Sequence, residues 1–198
     1  MIHRPYFFDN VRYYLDSNQS LTQDQVDGLN ALLNYYEEVG TDAEGGWCDD
    51  RMLAYILATT WHETAFTCQP IAEYGKGAGK PYGQPAGPYG QCYYGRGFVQ
   101  LTWLENYQTQ DEKLALGGAL VQNADRALEL EIATEIIFGG MRDGDFTGKK
   151  LAEFFTAETT DWYNARTIVN GHDQATTIAG YAEKFLNAIS HTFAGPVA

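Results

Sequence analysis

Asp49-Asp50-Arg51-Met52-Leu53-Ala54-Tyr55-Ile56-Leu57-Ala58-Thr59-Thr60-Trp61-His62-Glu63-Thr64 is the stretch from which the fold is read. Leu53, Ile56, Leu57, Thr60 and Trp61 recur at helical spacing. An aspartate ahead of such a run is a helix start signal. The spacing predicts a helix that begins after Asp49 or Asp50 and ends close to Glu63. Upstream, Thr22 and Gln25 form a capping-box pattern, followed by Val26, Leu29, Leu32, Leu33 and Tyr36. This predicts a helix from about 22 to 38, stopped near Gly40.

Downstream the character changes. Residues 69–97 hold many of the glycines and prolines, interleaved with tyrosines, as in Glu73-Tyr74-Gly75-Lys76-Gly77. That composition excludes helix for most of the segment. A polar linker or an ordered irregular loop would both fit, and the aromatic content favours an ordered loop that shapes a cleft. A small β-hairpin is expected inside residues 70–100. Helical patterns resume at about 102–116, 124–141, 149–155, 161–168 and 173–189. The expected fold class is mostly α (α+β), a helical domain with a loop-rich insertion. The 198 residues and 44% hydrophobic content suit one domain over 1–198.

The formal net charge is −13. It argues against nucleic acid as a partner, because neutralising phosphates needs clustered Lys and Arg. It also argues against holding an anionic membrane or wall by bulk charge. The 14 Tyr and 4 Trp suit sugar stacking or an aromatic core equally well. Cys48, Cys68 and Cys92 form no CxxC pair. A dense disulfide scaffold is excluded, and three reduced cysteines are expected over one bridge plus a free thiol. The first residues lack the apolar core and cleavage site of a signal peptide, and no run of roughly 18 apolar residues predicts a membrane span.

The first chemical candidate is Glu63. A carboxyl at a helix end facing a cleft is partly desolvated, and such an acid can donate a proton to a leaving oxygen. A solvated glutamate at a helix end is the competing reading. His62-Glu63 begins like a zinc-protease HExxH motif, but Phe66 stands where the second histidine belongs, and His172 and His191 are distant. No metal and no organic cofactor is expected. Glu73 is the second carboxylate, and glycosidases need two. Val99-Gln100-Leu101-Thr102 alternates like an extended strand with polar side chains on one face. Gln100 could then bond a sugar and Thr102 orient a water. Cysteine nucleophiles, pairing Cys68 or Cys92 with His62 or His172, have no supporting context.

Taken together, His62-Glu63-Thr64, Tyr94-Gly95-Arg96-Gly97, Gln100-Leu101-Thr102, Asn106-Tyr107 and Arg166-Thr167-Ile168-Val169-Asn170-Gly171 resemble glycoside hydrolase family 19. That family contains class I-type chitinases and many phage endolysins. Residues 7–12 and 21–30 look like its phage endolysin branch. The resemblance implies a lysozyme-like superfamily fold with a cleft between two lobes, and an inverting acid/base glycosidase. It implies Glu63 as general acid, Glu73 as general base and Thr102 as water-positioning residue. His62, Tyr94, Arg96, Gln100, Asn106, Tyr107 and Asn170 match substrate-binding or cleft-wall positions, with Arg96 orienting a carboxylate. No arginine is found downstream of Asp173 for a salt-bridge network near the Val-Asn-Gly segment. The expected substrate is the glycan strand of peptidoglycan, with chitin oligomers as the alternative and a silent wall-binding protein as a third. Such an enzyme would be a monomer without stable membrane association. It would accumulate in a host cytoplasm and depend on a holin-like partner for release.

Overall fold

The computed structural model of the chain describes residues 1–16, 18–39 and 49–189. Gly40, Cys48 and His191 lie outside the described residues. The helices are α1 (Arg4–Tyr14), α2 (Gln23–Val39), α3 (Asp50–Glu63), α4 (Leu104–Lys113), α5 (Ala119–Gln122), α6 (Leu130–Asp143), α7 (Leu151–Phe154) and α8 (Ala175–Ile189). Strands β1 (Ile71–Ala72) and β2 (Arg96–Gly97) form the one sheet among the described residues. The architecture is mostly helical, as the periodicity predicts. No helix among the described residues is long and apolar enough to cross a membrane.

The centre of the molecule is α3. Every residue from Met52 to Trp61 is buried, so this helix is wrapped on all sides. Asp49 caps its first turn by accepting from the Arg51 N–H. Arg51 also donates to the Thr156 carbonyl at 2.8 Å and the Thr160 hydroxyl at 2.6 Å, fixing the start of α3 against the 156–160 loop. Along α3 lies α8, which presents Ile178, Ala182, Phe185 and Ile189 to the core. The Phe185 ring meets Trp61 of α3 and Phe7 of α1 at 6.1 and 6.2 Å. That aromatic contact ties the N-terminal helix to the C-terminal one.

Helix α2 starts with the expected capping box: the Thr22 N–H donates to Gln25 and the Gln25 N–H donates to the Thr22 hydroxyl. Gly28 on its buried face lets α2 approach the turn after α3. A Cβ there would lie 1.8 Å from the Cys68 carbonyl oxygen, a backbone atom. Replacing Gly28 by Ala is therefore expected to cost about 3 kcal/mol, the upper range for overpacking. A melting curve should show a fall of roughly 6–12 °C for a chain of this length. An unchanged Tm would mean that this contact is loose.

Three expectations need correction. The chain opens with a helix, α1, which the sequence reading does not anticipate. The expected helix at 124–141 is broken: residues 124–128 form a 3-10 turn capped by Asn123, and α6 begins only at Leu130. Residues 164–168 are likewise a 3-10 turn rather than α-helix. The small β-pairing expected inside residues 70–100 is present as a clasp: β1 pairs antiparallel with β2, Ile71 opposite Gly97 and Ala72 opposite Arg96. It closes the neck of the Gly/Pro-rich loop.

That loop is ordered, as expected. Its chain runs through successive turns, with Lys76, Ala78 and Lys80 N–H donating to the carbonyls of Glu73, Gly75 and Gly77. Cys68 and Cys92 are free thiols, and burial pushes the Cys68 thiol well up.

At the end of α6, the Arg142 guanidinium and then the Lys113 ammonium hold the Asp143 carboxyl down at about 2. A depressed carboxyl stabilises the fold above its unfolded value of about 3.9 and loses that contribution as pH falls towards 2. Melting curves from pH 5 to 2 should fall less steeply for Asp143→Asn than for the wild type. Parallel curves would remove Asp143 from the acid response.

Candidate active site

Glu63 ends α3. A helix C-terminus carries partial negative charge, so a carboxylate there needs a cation nearby. Arg166 supplies it from the 3-10 turn 164–168: its Nη1 donates to Glu63 Oε1 at 2.5 Å. The Arg166 side chain is 3% exposed and that of Glu63 19%. Arg166 Nε donates to the Asp173 carbonyl at 3.0 Å, which fixes the guanidinium. The turn after Glu63 is tightly built. Ala65, Phe66 and Cys68 take φ of 49°, 71° and 53°, in the left-handed region that ordinary residues avoid. The Thr64 hydroxyl locks the turn, donating to the Thr60 carbonyl and accepting from the Cys68 N–H. From α2, Gln25 donates to the Phe66 carbonyl at 2.9 Å. Strained backbone held by its surroundings is a mark of functional regions.

Glu73 follows β1 directly and sits at the neck of the loop. Its carboxylate accepts from the Tyr82 hydroxyl and the Gly95 N–H, each at 3.3 Å. Its own N–H donates to the Gly95 carbonyl at 2.7 Å. The clasp thus fixes both ends of the residue. Gln100 belongs to the same unit, with Nε2 donating to the Ile71 carbonyl at 3.1 Å. Its side chain packs onto Gly95, where a Cβ would lie 2.7 Å from Gln100 Oε1.

The extended strand expected at 99–102 is absent. Residues 98–100 form a turn in which Gln100 takes φ 55°, and Leu101 bridges back to Arg96. The glycines at 95 and 97 permit that reversal. Thr102 is half-buried, and its hydroxyl bonds to nothing among the described residues. Its carbonyl accepts from Asn106 Nδ2 at 2.8 Å, so Asn106 anchors Thr102, two residues ahead of α4.

Arg96 and Tyr107 are buried, so Tyr107 presents no surface for the sugar contact expected of it. Arg96 is 3% exposed and Tyr107 is fully buried. The guanidinium pairs with Asp125 at 2.8 Å and donates to the Cys92 and Tyr94 carbonyls. It lies 3.6 Å over the Tyr94 ring, and the Tyr107 hydroxyl donates to the Tyr94 carbonyl. Arg96 orients Asp125 rather than either candidate catalytic carboxylate. Both residues brace the loop wall from behind, leaving Tyr94 half-buried at its surface. His62 is half-buried and its ring bonds to no described residue, while Asn170 is exposed and accepts from the Gly171 N–H.

Three residues of the site escape the sequence reading. Arg166 enters it only at the start of the Val-Asn-Gly segment, yet it holds Glu63. Tyr82 bonds Glu73, and its ring meets Trp103 edge-on at 5.4 Å. Trp103 is 45% exposed and takes φ 73° beside Thr102. The tryptophan directly after Thr102 is visible in the sequence, and its exposure is not. Among the described residues no cluster of His, Cys, Asp or Glu could hold a metal ion.

No protein-family model matches the chain, and no curated protein matches it. Solved structures do. Chitinase C from Streptomyces griseus HUT6037 is similar with a TM-score of 0.54 and 20% identity, covering 94% of this chain and 76% of that one. The family 19, class IV chitinase from Zea mays is similar with a TM-score of 0.52 and 18% identity, covering 92% and 90%. At these identities the likeness establishes the fold: this chain has the architecture of family 19 chitinases.

Proposed function

We propose that this chain is an inverting glycoside hydrolase acting on β-1,4-linked N-acetylated aminosugar polymers. One observation carries the reading: two carboxylates are held by different elements in different surroundings. Glu63 lies against a buried guanidinium at a helix end, and Glu73 is pinned by a backbone amide and a phenol on the clasp. Glu63 donates its proton to the glycosidic oxygen as the bond to the anomeric carbon breaks. Glu73 takes a proton from the water that attacks that carbon from the opposite face. The unengaged Thr102 hydroxyl holds the water. Asn170, Tyr94 and His62 line the substrate path.

The substrate is the glycan strand of peptidoglycan, supported by the endolysin-like pattern at residues 7–12 and 21–30. Chitin oligomers are the second reading, favoured by the chitinase identity of the similar structures. The enzyme works as a single domain and monomer from a host cytoplasm, released by a membrane-permeabilising partner. Digestion of purified peptidoglycan and of chitin hexamer, read by mass spectrometry, tests this. Muropeptides from the first substrate support a wall hydrolase, chitin fragments alone move the reading to a chitinase, and an inert protein on both contradicts the proposal.

A further inference from the structure

Trp103 stands between Thr102 and α4 with φ 73° and ψ 139°, close to a backbone region that only glycine adopts readily. The conformation is held from both sides. The Trp103 N–H donates to the Tyr93 carbonyl at 2.9 Å, and the Trp103 carbonyl accepts from the Tyr107 N–H at 3.2 Å. Both tyrosines are buried, so these anchors are firm. The strained residue carries an indole that is 45% exposed and makes no capping hydrogen bond to α4. Burying that ring would stabilise the fold. Instead the backbone is strained while the ring stays at the surface, and strain of this kind gathers at functional sites.

The indole lies beside the Glu73 carboxylate. Its ring meets that of Tyr82 at 5.4 Å and 79°, and the Tyr82 hydroxyl donates to Glu73 Oε1 at 3.3 Å. Rings in edge-to-face contact leave at least one broad face of the indole uncovered by Tyr82. Tyr82 is itself firmly seated. Its neighbour Gly83 packs so closely that a Cβ there would lie 1.9 Å from the Gly77 carbonyl oxygen. Thr102, Trp103, Tyr82 and Glu73 are therefore joined in one chain of contacts.

We infer that Trp103 is a sugar-stacking residue, whose open indole face takes the C–H face of one pyranose ring of the glycan next to Glu73. A β-linked aminosugar ring presents axial C–H bonds on its faces and polar groups around its edge, so a flat indole matches it. Tyr82 is a positioning residue, bracing the indole with its ring and Glu73 with its hydroxyl. The substrate class rests on the glycosidase reading.

The test titrates chitin hexamer, and separately glycan strands from purified peptidoglycan, into Glu63→Gln protein. The indole N–H signal of Trp103 in an NMR spectrum, assigned by its loss in Trp103→Phe, should shift saturably with at least one probe. In the otherwise wild-type chain, Trp103→Ala should raise KM about tenfold with kcat less affected, and Trp103→Phe should recover part of the loss. Tyr82→Phe keeps the ring and should lower kcat about tenfold with KM little changed. Trp103→Gly should melt above Trp103→Ala, because glycine relieves the positive φ. A tryptophan that served the fold alone would lower Tm and leave KM as it is. A signal unmoved by both probes, or wild-type KM in Trp103→Ala, overturns the stacking role even where the wild type hydrolyses glycan. Wild-type kcat in Tyr82→Phe overturns its positioning role. A wild type that cleaves neither substrate yet binds a probe at Trp103 sinks the glycosidase reading and upholds the stacking site.

Discussion

Glu63→Gln lowers kcat on a β-1,4 aminosugar polymer by about 10²–10⁴-fold, the range that one general acid contributes. The substitution removes the transferable proton and the charge that pairs with Arg166, and keeps the shape of the side chain. The glutamine side-chain oxygen still accepts from Arg166 Nη1, where Glu63 Oε1 now does. Glu63 is 19% exposed, so solvent shares in compensating the guanidinium. Stability should fall by about 3 kcal/mol, the low end for breaking a buried pair because the glutamine keeps the hydrogen bond, which circular dichroism and a melting curve would register as a folded protein. Loss of turnover in a folded variant separates chemistry from collapse. A folded Glu63→Gln protein with near-normal turnover removes Glu63 from the mechanism.

Arg166→Leu should damage both stability and activity. The guanidinium is 3% exposed and is fixed by the Asp173 carbonyl at 3.0 Å. Deleting one partner of a buried ion pair costs about 3–5 kcal/mol, because the other charge stays behind without its counter-ion. Glu63 retains some solvent, so the lower end applies, a Tm decrease of roughly 6–12 °C. The carboxylate also loses the group that orients it, and kcat should fall by at least about 10²-fold. Arg166→Lys keeps the charge but cannot reach Glu63 and the Asp173 carbonyl with a planar fork, so it should rescue stability better than activity. Wild-type Tm and kcat in Arg166→Leu would show that the pair does no structural or catalytic work.

The helices that the sequence reveals are those whose signals are local. The Thr22–Gln25 capping box and the apolar spacing of 26–36 define α2, and the Asp49 cap with its buried run defines α3. In α1, Phe7, Phe8 and Val11 are spaced for a helix, but the cap is His3 rather than the usual Ser, Thr, Asp or Asn. The strand pattern at 99–102 misleads because alternation measures side-chain chemistry, whereas Gly95, Gly97 and the left-handed Gln100 decide the backbone. The site divides in the same way. Glu63, Glu73 and Thr102 are marked by local motifs. The grip of Arg166 on Glu63 spans 103 residues, and no local pattern announces a contact of that range. Tyr107 and Arg96 carry the residue types of a sugar site, yet their polar atoms are satisfied by Tyr94, Cys92 and Asp125 inside the wall.

The anomeric configuration of the first product tests the account most directly. Proton NMR of a chitin hexamer or of glycan strands, recorded within the first minutes of hydrolysis, distinguishes the two outcomes before mutarotation. A water activated by Glu73 on the face opposite Glu63 releases the α-anomer first. Initial release of the β-anomer would mean retention, and Glu73 could not be the base of a single displacement.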